Sequence, residues 1–358
     1  MKIIFISPYP RAGGSSRFRI YQYLPFLQAN GHEVFVHPFL NDAGYQTMYL
    51  PGRIVQKIFI VLSGMWRTLR LLPKIKSYDV CIVHREVALA GPGVLEWLVA
   101  KFSRNLVYDF DDAVFEPHVS SANRLFAVLK STQKIPHLIS RCHAVIAGNS
   151  YLEDYARQYC AKTFQLPTPV DVKRFVPRLS KTNISIIIGW IGSHSTSPYL
   201  TIVAEALKNL QTEFGHHIGI EIVGAGNFRF EKLEANYRPW VLEKEVSDLQ
   251  GFDIGIMPMP DNRWTRGKCG FKALQYMSVG IPVVCSPVGM NRDIVMHGEN
   301  GFWAETSAEW QQALHLLISD AELRKRMGEK GRRLVDERFS LEQCADRLNR
   351  IFLAVTHD

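Results

Sequence analysis

The sequence predicts an α/β protein built from two successive series of parallel strands and helices. Short apolar runs such as 3–6, 106–110 and 254–257 alternate with longer stretches of helical periodicity, an arrangement typical of βαβ units. A proline-rich segment at 166–177 interrupts the alternation and indicates a linker between two domains. The length of 358 residues suits two domains that each bury a core.

The composition is that of a globular protein with a basic balance. Hydrophobic residues make up 47% of the chain and charged residues 21%, which excludes a largely disordered protein. The formal charge of +8 favours anionic partners, namely phosphorylated small molecules or acidic lipid surfaces. No motif that reads RNA or DNA is present, so we expect no nucleic-acid partner. The six cysteines are scattered without metal-ligand spacing, which predicts reduced thiols in the cytoplasm and no metal site.

The first series opens with a strand, a glycine turn and a helix. The helix is expected over 16–29, and it follows the turn at Gly13-Gly14, which lacks the GxGxxG pattern of dinucleotide sites. Arg17 and Arg19 lie at the start of that helix, so anion binding and plain turn chemistry are both open here. The further strands of this half are expected at 33–37, 80–83, 106–110 and 144–148, with helices over 120–141 and from Tyr151.

Titratable residues follow two of these strands. The tripeptide 84–86 (His-Arg-Glu) comes after one strand, and Asp111 and Asp112 come directly after another. Because the carboxyl ends of parallel strands meet at one edge of a sheet, we expect these side chains to face a common crevice. One aspartate would suit a helix cap, but Asp109, Asp111 and Asp112 together exceed what one cap needs. Asp111 and Asp112 are therefore the candidate catalytic residues.

The segment 53–76 is apolar and basic, with several Lys and Arg and no acid. One interpretation is a buried crossover helix whose cations extend to solvent. The other is an amphipathic helix on an anionic membrane surface. No run of 18 or more apolar residues is present, so we expect no membrane-spanning helix. The first ten residues suit a strand rather than a signal peptide.

The second series starts with a strand at 184–193, and Gly192 and Ser193 at its end offer backbone amides to a phosphate. A helix is expected from near Pro198, and a further strand at 219–223. The stretch 251–301 then reads as strand, loop, helix and strand. The chain from 308 to 356 is expected to be helical.

The helix within this stretch is expected between Gly270 and Gly280. Lys268, Lys272 and Gln275 are spaced to share one of its faces, and Arg266 lies just before it. Cations that converge on a helix start favour an anion site, whereas a solvated basic face is the alternative. The glycine-rich loop after a strand end favours the anion site.

Jointly these motifs resemble the GT-B glycosyltransferases, specifically the retaining family 4 (glycosyl transferases group 1). The resemblance rests on the turn at 13–14, the linker segment 169–175, the core 277–284 (MSVGIPVV) and the run 299–302 (ENGF). It implies two facing Rossmann-like domains with a central cleft. The acceptor domain would be 1–170 plus a crossing helix at 340–358, and the nucleotide-sugar domain would be 181–339.

The resemblance implies a metal-independent hexosyltransferase that moves a sugar from a nucleotide-diphosphate sugar to a glycan or lipid-linked acceptor. Retention of configuration and a role in cell-surface polysaccharide synthesis are the corresponding expectations, with no cofactor beyond the nucleotide-sugar substrate. The expected location is the cytoplasm, or the periphery of the membrane's inner face through 53–76. The alternative is a GT-B binding or scaffold subunit without transferase activity.

The family's two glutamates, eight positions apart, align with Gly267 and Gln275, so this chain departs from the pattern at both. An amide at 275 still hydrogen-bonds a hydroxyl. The residues assigned to the donor are Gly13, Gly14, Arg17, Gly192, Ser193, Arg266, Lys268, Lys272 and Gln275.

Overall fold

The computed structural model describes residues 1–50, 52–117, 131–178 and 185–356. The chain divides into two units. The first comprises 1–169, 267–269 and 341–358, and the second comprises 170–266 and 270–340. The second unit begins at 170, inside the expected linker 166–177, and it includes residue 340, which was expected to open the crossing helix. The short excursion 267–269 belongs to the first unit.

The first unit is built on a parallel sheet whose described strands lie in the order β2-β1-β3-β4-β5-β6. They are β1 (Lys2–Ser7), β2 (Glu33–Pro38), β3 (Val80–His84), β4 (Leu106–Phe110), β5 (Ala144–Ala147) and β6 (Thr163–Gln165). The central strands are buried along almost their whole length, as expected for continuous apolar runs covered by helices on both faces. Since all pairs are parallel, the carboxyl ends of β1, β3 and β4 lie at one edge.

The helices of this half are α1 (Gly14–Arg19), α2 (Leu24–Ala29), α3 (Asp42–Met48), α4 (Ile54–Ile75), α5 (Val94–Phe102), α6 (Lys134–Ile139) and α7 (Ser150–Arg157). The Asn149 side chain caps α7 by accepting from the Leu152 amide at 2.9 Å. Only part of the helix expected over 120–141 can be compared, because residues 118–130 lie outside the described residues.

The expectation of one continuous helix over 16–29 is wrong. α1 ends before Ile20, whose backbone leaves the helical region at φ −128° and ψ −65°. A 3₁₀ turn at Tyr21–Tyr23 follows, and Pro25 lies in the first turn of α2. Proline has no amide hydrogen to continue a preceding helix but is tolerated at a helix start, so the chain restarts there.

The second unit repeats the plan with the strand order β12-β11-β10-β7-β8-β9, again parallel in every described pair. The strands are β7 (Ile186–Ile191), β8 (Ile218–Val223), β9 (Asn236–Arg238), β10 (Ile254–Met257), β11 (Val283–Cys285) and β12 (Gly301–Trp303). β7 and β11 are shorter than the expected 184–193 and 281–285. The order of β10, β7 and β8 places the loop after β7 in the middle of the sheet's carboxyl edge.

The helices of this half are α8 (Ala204–Phe214), α9 (Glu245–Gln250), α10 (Arg263–Arg266), α11 (Phe271–Ser278), α12 (Asn291–Ile294), α13 (Ser307–Ser319) and α14 (Ala321–Leu334). 3₁₀ turns occupy Ser197–Ile202, Gly215–His217 and Leu242–Lys244, and a π turn occupies Val335–Phe339. The helix expected from near Pro198 therefore begins as a 3₁₀ turn.

The predicted helical face that joins Lys268 to Lys272 and Gln275 is wrong. Gly270 adopts a left-handed backbone (φ 62°) and α11 begins only at Phe271. Lys268 therefore precedes the helix and belongs to the excursion 267–269 of the first unit.

The last helix, α15 (Leu341–Thr356), packs on the first unit. Its residues Cys344, Leu348 and Phe352 recur at a spacing of four and are buried with Ile3 and Phe5 of β1 in one hydrophobic core. None of the described helices is long and apolar enough to cross a membrane.

Candidate active site

The carboxyl edge of the first sheet holds a chain of hydrogen-bonded side chains. The Ser15 hydroxyl lies 2.9 Å from His84 Nε2, and His84 Nδ1 lies 2.6 Å from Asp109 Oδ2. His84 is completely buried and Asp109 almost so. Because an ionised carboxylate only accepts hydrogen bonds, His84 Nδ1 carries a proton and donates it to Asp109, and the Ser15 hydroxyl is the hydrogen-bond partner of Nε2.

Arg19 binds the same carboxylate from the other side. Its Nε lies 3.3 Å from Asp109 Oδ2, its Nη2 donates to Oδ1, and its Nη1 donates to the Leu166 carbonyl at 2.7 Å. Burial acts to raise the pKa of the Asp109 carboxyl, but Arg19 and His84 outweigh burial and hold that pKa below its ordinary value. Asp109 is therefore an ionised anchor within a buried ion pair.

This anchor holds α1 at both ends and so fixes the predicted glycine turn. Arg19, at the end of the helix, binds Asp109 directly, and Ser15 in the first turn binds it through His84. Gly13 is packed closely, because a Cβ there would lie 2.6 Å from the Tyr9 Cβ. At Gly14 nothing lies within 4 Å of such an atom. The turn therefore has no space for a side chain at Gly13 but has free space at Gly14.

We expect alanine substitutions at these two glycines to differ sharply. Gly13→Ala should lower the free energy of unfolding by about 1–3 kcal/mol, because the Tyr9 side chain must move to admit the methyl group. Gly14→Ala is the matched control and should change stability by less than about 1 kcal/mol. Urea unfolding of both variants measures the difference, and equal losses would contradict the close packing at Gly13.

Arg85 organises a second group of charges after β3. It is one of two non-glycine residues among the described ones with positive φ, here 61°. Its Nε donates to Asp111 Oδ1 at 2.7 Å, and its Nη2 donates to Asp112 Oδ2 at 2.5 Å. Lys268 Nζ donates to the other oxygen of Asp112 at 3.1 Å. A left-handed arginine is unfavourable by itself and persists only when such surrounding contacts hold it, a feature that clusters at functional sites.

These contacts determine the charge state of the candidate catalytic residues. Burial acts to raise the pKa of the Asp111 carboxyl, but Arg85, His84 and Arg19 outweigh burial and hold it far below its ordinary value. The two acids balance Arg85 and Lys268 in charge, as Asp109 balances Arg19. Asp112 therefore already neutralises the charge of Lys268.

In the second unit, Lys272 lies against the loop that follows β7. Its ammonium donates to the Thr196 hydroxyl at 3.1 Å and lies 5.0 Å from the centre of the Trp190 ring. A Cβ at Gly192 would overlap Trp190 Cζ2 and lie 2.8 Å from Lys272 Cε, so the glycine makes room chiefly for the indole ring and also for the lysine stem. Ser193 is exposed in the same loop, and its hydroxyl lies 2.8 Å from that of Ser195. The structure thus brings three predicted donor residues, Gly192, Ser193 and Lys272, to one place.

Arg266 and Gln275 bind acids within the same unit. Arg266 makes a two-pronged pair with Asp261, with Nε–Oδ1 2.6 Å and Nη2–Oδ2 3.0 Å, and both side chains are about half exposed. The Gln275 amide nitrogen lies 3.2 Å from Glu245 Oε1, and Arg174 binds the other oxygen of Glu245 at 3.0 Å. Gln275 and Glu245 are both buried, so the Gln275 side chain has a fixed orientation.

Comparison with known proteins decides the family. The chain is 32% identical over 316 residues to an uncharacterized glycosyltransferase of Methanocaldococcus jannaschii, and the match covers 77% of this chain and 86% of that one. The chain belongs to the group 1 glycosyltransferases. The model of that family, described as glycosyl transferases group 1, matches residues 249–334, which contain Lys272 and Gln275.

Other relatives of this glycosyltransferase match over shorter lengths. N-acetyl-alpha-D-glucosaminyl L-malate synthase of Bacillus anthracis is 33% identical over 92 residues, 25% of this chain and 24% of that protein. The capsular polysaccharide biosynthesis glycosyltransferase CapM of Staphylococcus aureus is 24% identical over 180 residues, 48% of this chain and 46% of that one. The chain thus matches less than half the length of either.

Solved structures show that the glycosyltransferase has the GT-B fold. Sucrose-phosphate synthase from Thermosynechococcus elongatus superposes with a TM-score of 0.70 at 15% identity, over 99% of this chain and 98% of that one. Anabaena HepE in complex with UDP-glucose superposes with a TM-score of 0.66 at 17% identity, over 99% and 100% of the two chains. The predicted pair of Rossmann-like domains is confirmed.

The glycosyltransferase has no room for a side chain where the family's first glutamate aligns. A Cβ at Gly267 would lie 2.6 Å from the Ala113 Cβ and 2.8 Å from the Ala113 amide nitrogen. At the second position, a glutamate in place of Gln275 would bring two buried carboxylates together, because Glu245 already lies there. Both departures from the family pattern therefore fit their surroundings in this chain.

Several residues of these groups escaped the sequence-based assignment. Ser15, Thr196 and Glu245 were not among the candidates, Arg19 was considered only for anion contact, and His84 was noted only as one of the titratable residues after a strand. Position was the available signal for three of them, since Ser15 and Thr196 lie in segments that follow strands and His84 is the last residue of β3. The assigned residues Gly13, Gly14, Arg17, Asp111, Asp112 and Lys268 lie in the first unit, and the others in the second. No group of three or more His, Cys, Asp or Glu among the described residues is arranged to hold a metal ion.

Proposed function

We propose that this group 1 glycosyltransferase moves a hexosyl group from a nucleotide-diphosphate sugar to a glycan or lipid-linked acceptor, with retention of configuration. Anabaena HepE, solved in complex with UDP-glucose, supports a nucleotide-sugar donor. CapM, a capsular polysaccharide biosynthesis glycosyltransferase, supports a role in cell-surface polysaccharide synthesis. The reaction would take place in the cytoplasm, at the inner face of the membrane for a lipid-linked acceptor.

The single observation that carries this proposal is the position of Lys272 over the loop that contains Gly192 and Ser193. When the sugar leaves, negative charge grows on the departing diphosphate, and a positioned cation stabilises that charge in the transition state. The lysine stem packs on Trp190 and Gly192, so the ammonium is held at the loop that follows β7. The Gly192 amide already donates to the Val223 carbonyl at 2.9 Å, so we propose the Ser193 amide as the backbone donor of this loop. We propose that these groups, without a resident metal, bind the diphosphate.

The first unit contributes the remaining assigned residues. The open backbone at Gly14, beside Gly13, lets a ligand approach, and we propose that Arg17 and the Gly14 amide bind the donor. Lys268 has a smaller role in this proposal, since Asp112 balances its charge. Arg266 has a smaller role too, because Asp261 binds it.

Asp111 and Asp112 would bind the acceptor. Arg85 holds the pKa of Asp111 far below its ordinary range, which makes that carboxylate a weak base but a strong hydrogen-bond acceptor. We therefore propose that the two acids orient the acceptor hydroxyl. The proton of that hydroxyl would then pass to an oxygen of the leaving diphosphate. This route needs no nucleophile from the protein. Gln275, held by Glu245, would hydrogen-bond a donor hydroxyl.

A thermal-shift screen with UDP-, GDP-, TDP- and ADP-sugars tests the proposal. A donor at 100 times its dissociation constant should stabilise the fold by about 2.7 kcal/mol, visible as a higher melting temperature. We expect one base to produce this shift, and we expect a chelator to leave both the shift and sugar transfer unchanged. Lys325→Met, an exposed lysine on α14, is the control for variants of Lys272.

The observation that favours the alternative, a binding subunit without transferase activity, is Gly267. Its close packing against Ala113 excludes the family's glutamate. The same screen separates the two functions. A nucleotide-sugar shift with transfer to an acceptor supports the enzyme. Failure of all four donors to shift the melting temperature of the folded chain would overturn the proposed function in favour of the binding subunit.

A further inference from the structure

α4 has two sides that carry apolar residues, and the described part of the chain covers only one of them. The covered side consists of residues spaced by three and four that are buried in the first unit, namely Lys57, Val61, Gly64, Thr68, Leu71, Leu72 and Ile75. The other side carries seven large apolar side chains that are 46–67% exposed: Ile54, Val55, Ile58, Phe59, Leu62, Trp66 and Leu69. We call these seven residues the exposed α4 face. The expectation of a simply buried crossover helix at 53–76 is therefore wrong for this side.

Single exposed apolar residues are normal on a protein surface, but a continuous set on one helix marks an interaction surface. The neighbouring helix α5 extends the apolar area, because Val94 and Trp97 are 58% and 46% exposed. Just before α4 the chain also exposes Tyr49 and Leu50. The area is thus shared by neighbouring segments and does not depend on one side chain.

Charge indicates what would cover this surface. Residues 53–76 contain no acid, and their exposed cations are Arg53, Arg70, Lys74 and Lys76. The Arg70 guanidinium lies 3.3 Å from the centre of the Trp66 ring, and Lys101 Nζ lies 5.2 Å from that of Trp97. Tryptophan beside a cation is typical of side chains at a membrane–water boundary, where the ring meets lipid and the charge meets head groups.

We propose that the exposed α4 face, with Val94 and Trp97 of α5, binds the surface of an anionic lipid bilayer. α4 would lie in the plane of the boundary, with Phe59 and Trp66 below the head groups and Arg70 and Lys74 among them. A second copy of this chain fits less well, since a symmetric dimer would bring two equally basic surfaces together. This inference goes beyond the proposed transfer reaction and does not depend on it.

Vesicle flotation of the full chain tests this surface. The probes are vesicles of phosphatidylcholine alone and of phosphatidylcholine with about one third phosphatidylglycerol, each at low and at high salt. We expect binding to the anionic vesicles only, and weaker binding at high salt because ions screen the cations. Failure of the unmodified chain to float with anionic vesicles at low salt would overturn the proposal.

Two double variants locate the binding surface. Phe59→Ser with Trp66→Ser should weaken vesicle binding at least about tenfold, through lost apolar burial. Arg70→Glu with Lys74→Glu should weaken it at least about 25-fold, since each cation near an anionic surface contributes roughly fivefold. The matched controls are Leu316→Ser, a similarly exposed leucine of the second unit, and Lys325→Glu with Arg326→Glu on α14. Both controls should bind as the unmodified chain does.

The remaining outcomes are also decisive. A cooperative thermal unfolding transition like that of the unmodified chain shows that the variants are folded, and their nucleotide-sugar thermal shift separates a failed membrane site from a failed donor site. If Phe59→Ser with Trp66→Ser does not fold, two measurements still test the proposal. They are vesicle binding by Arg70→Glu with Lys74→Glu, and the salt dependence of vesicle binding by the unmodified chain. Equal binding by Arg70→Glu with Lys74→Glu, or a dimer in sedimentation that only Phe59→Ser with Trp66→Ser dissolves, would contradict a lipid surface.

Discussion

Lys272→Met should lower the turnover number for sugar transfer by about 100- to 1000-fold, the usual loss when one preorganised stabiliser of transition-state charge is removed. Methionine keeps the apolar stem that packs on Trp190 and Gly192 but removes the ammonium at the loop. Lys272 is only partly buried, so the melting temperature should change little. Steady-state kinetics and thermal unfolding of the same sample measure both quantities.

Two further lysine variants make this test specific. Lys268→Met should have a much smaller effect on turnover, because Asp112 balances that charge in the first unit. Lys272→Arg should recover part of the loss, because it restores the charge in a different geometry. A Lys272→Met enzyme with the turnover of the unmodified chain would remove Lys272 from the diphosphate site and leave the second unit without its main assigned cation.

The strands and the family could be predicted from the sequence because their signals are local. A strand buried on both faces is a short apolar run, and β1, β3, β4 and β10 all are. Gly280 was expected to end its helix, and it does lie just beyond Ser278 with a left-handed backbone at φ 76°. Such features depend on neighbours within a few residues, which the sequence displays directly.

The contacts of the candidate site could not be predicted, because they join residues far apart in the chain. Lys268 and Asp112 are 156 positions apart, and their pairing requires the excursion of 267–269 into the first unit. Helical spacing alone grouped Lys268 with Lys272. No local sequence pattern indicates that Gly270 turns the chain before the helix begins. Ser15 and Asp109 meet through His84 only because β1, β3 and β4 are adjacent in the sheet, an order that no strand encodes by itself.

Asp109→Asn should destabilise the first unit by about 3–5 kcal/mol at neutral pH, since it leaves the Arg19 guanidinium buried without a counter-charge. The carboxylate also accepts from His84, and through these two partners it fixes both ends of α1. The Gly13-Gly14 turn should therefore loosen, and the KM for the donor should rise together with the loss of stability. Hydrogen exchange of the β1 and β4 amides reports the stability of this unit separately.

The pH dependence of stability distinguishes this ion pair from a general loss of packing. The pKa of Asp109 is lowered in the folded protein, so its contribution is fully present above its unfolded pKa of about 3.9 and is lost as pH falls through the lower folded value. The gap in stability between the unmodified chain and Asp109→Asn should thus narrow as the pH falls from 5 toward 2. Asp346→Asn, which changes an exposed aspartate on α15, is the matched control. Parallel stability curves for the unmodified chain and Asp109→Asn would mean that the carboxylate charge does not hold α1 in place.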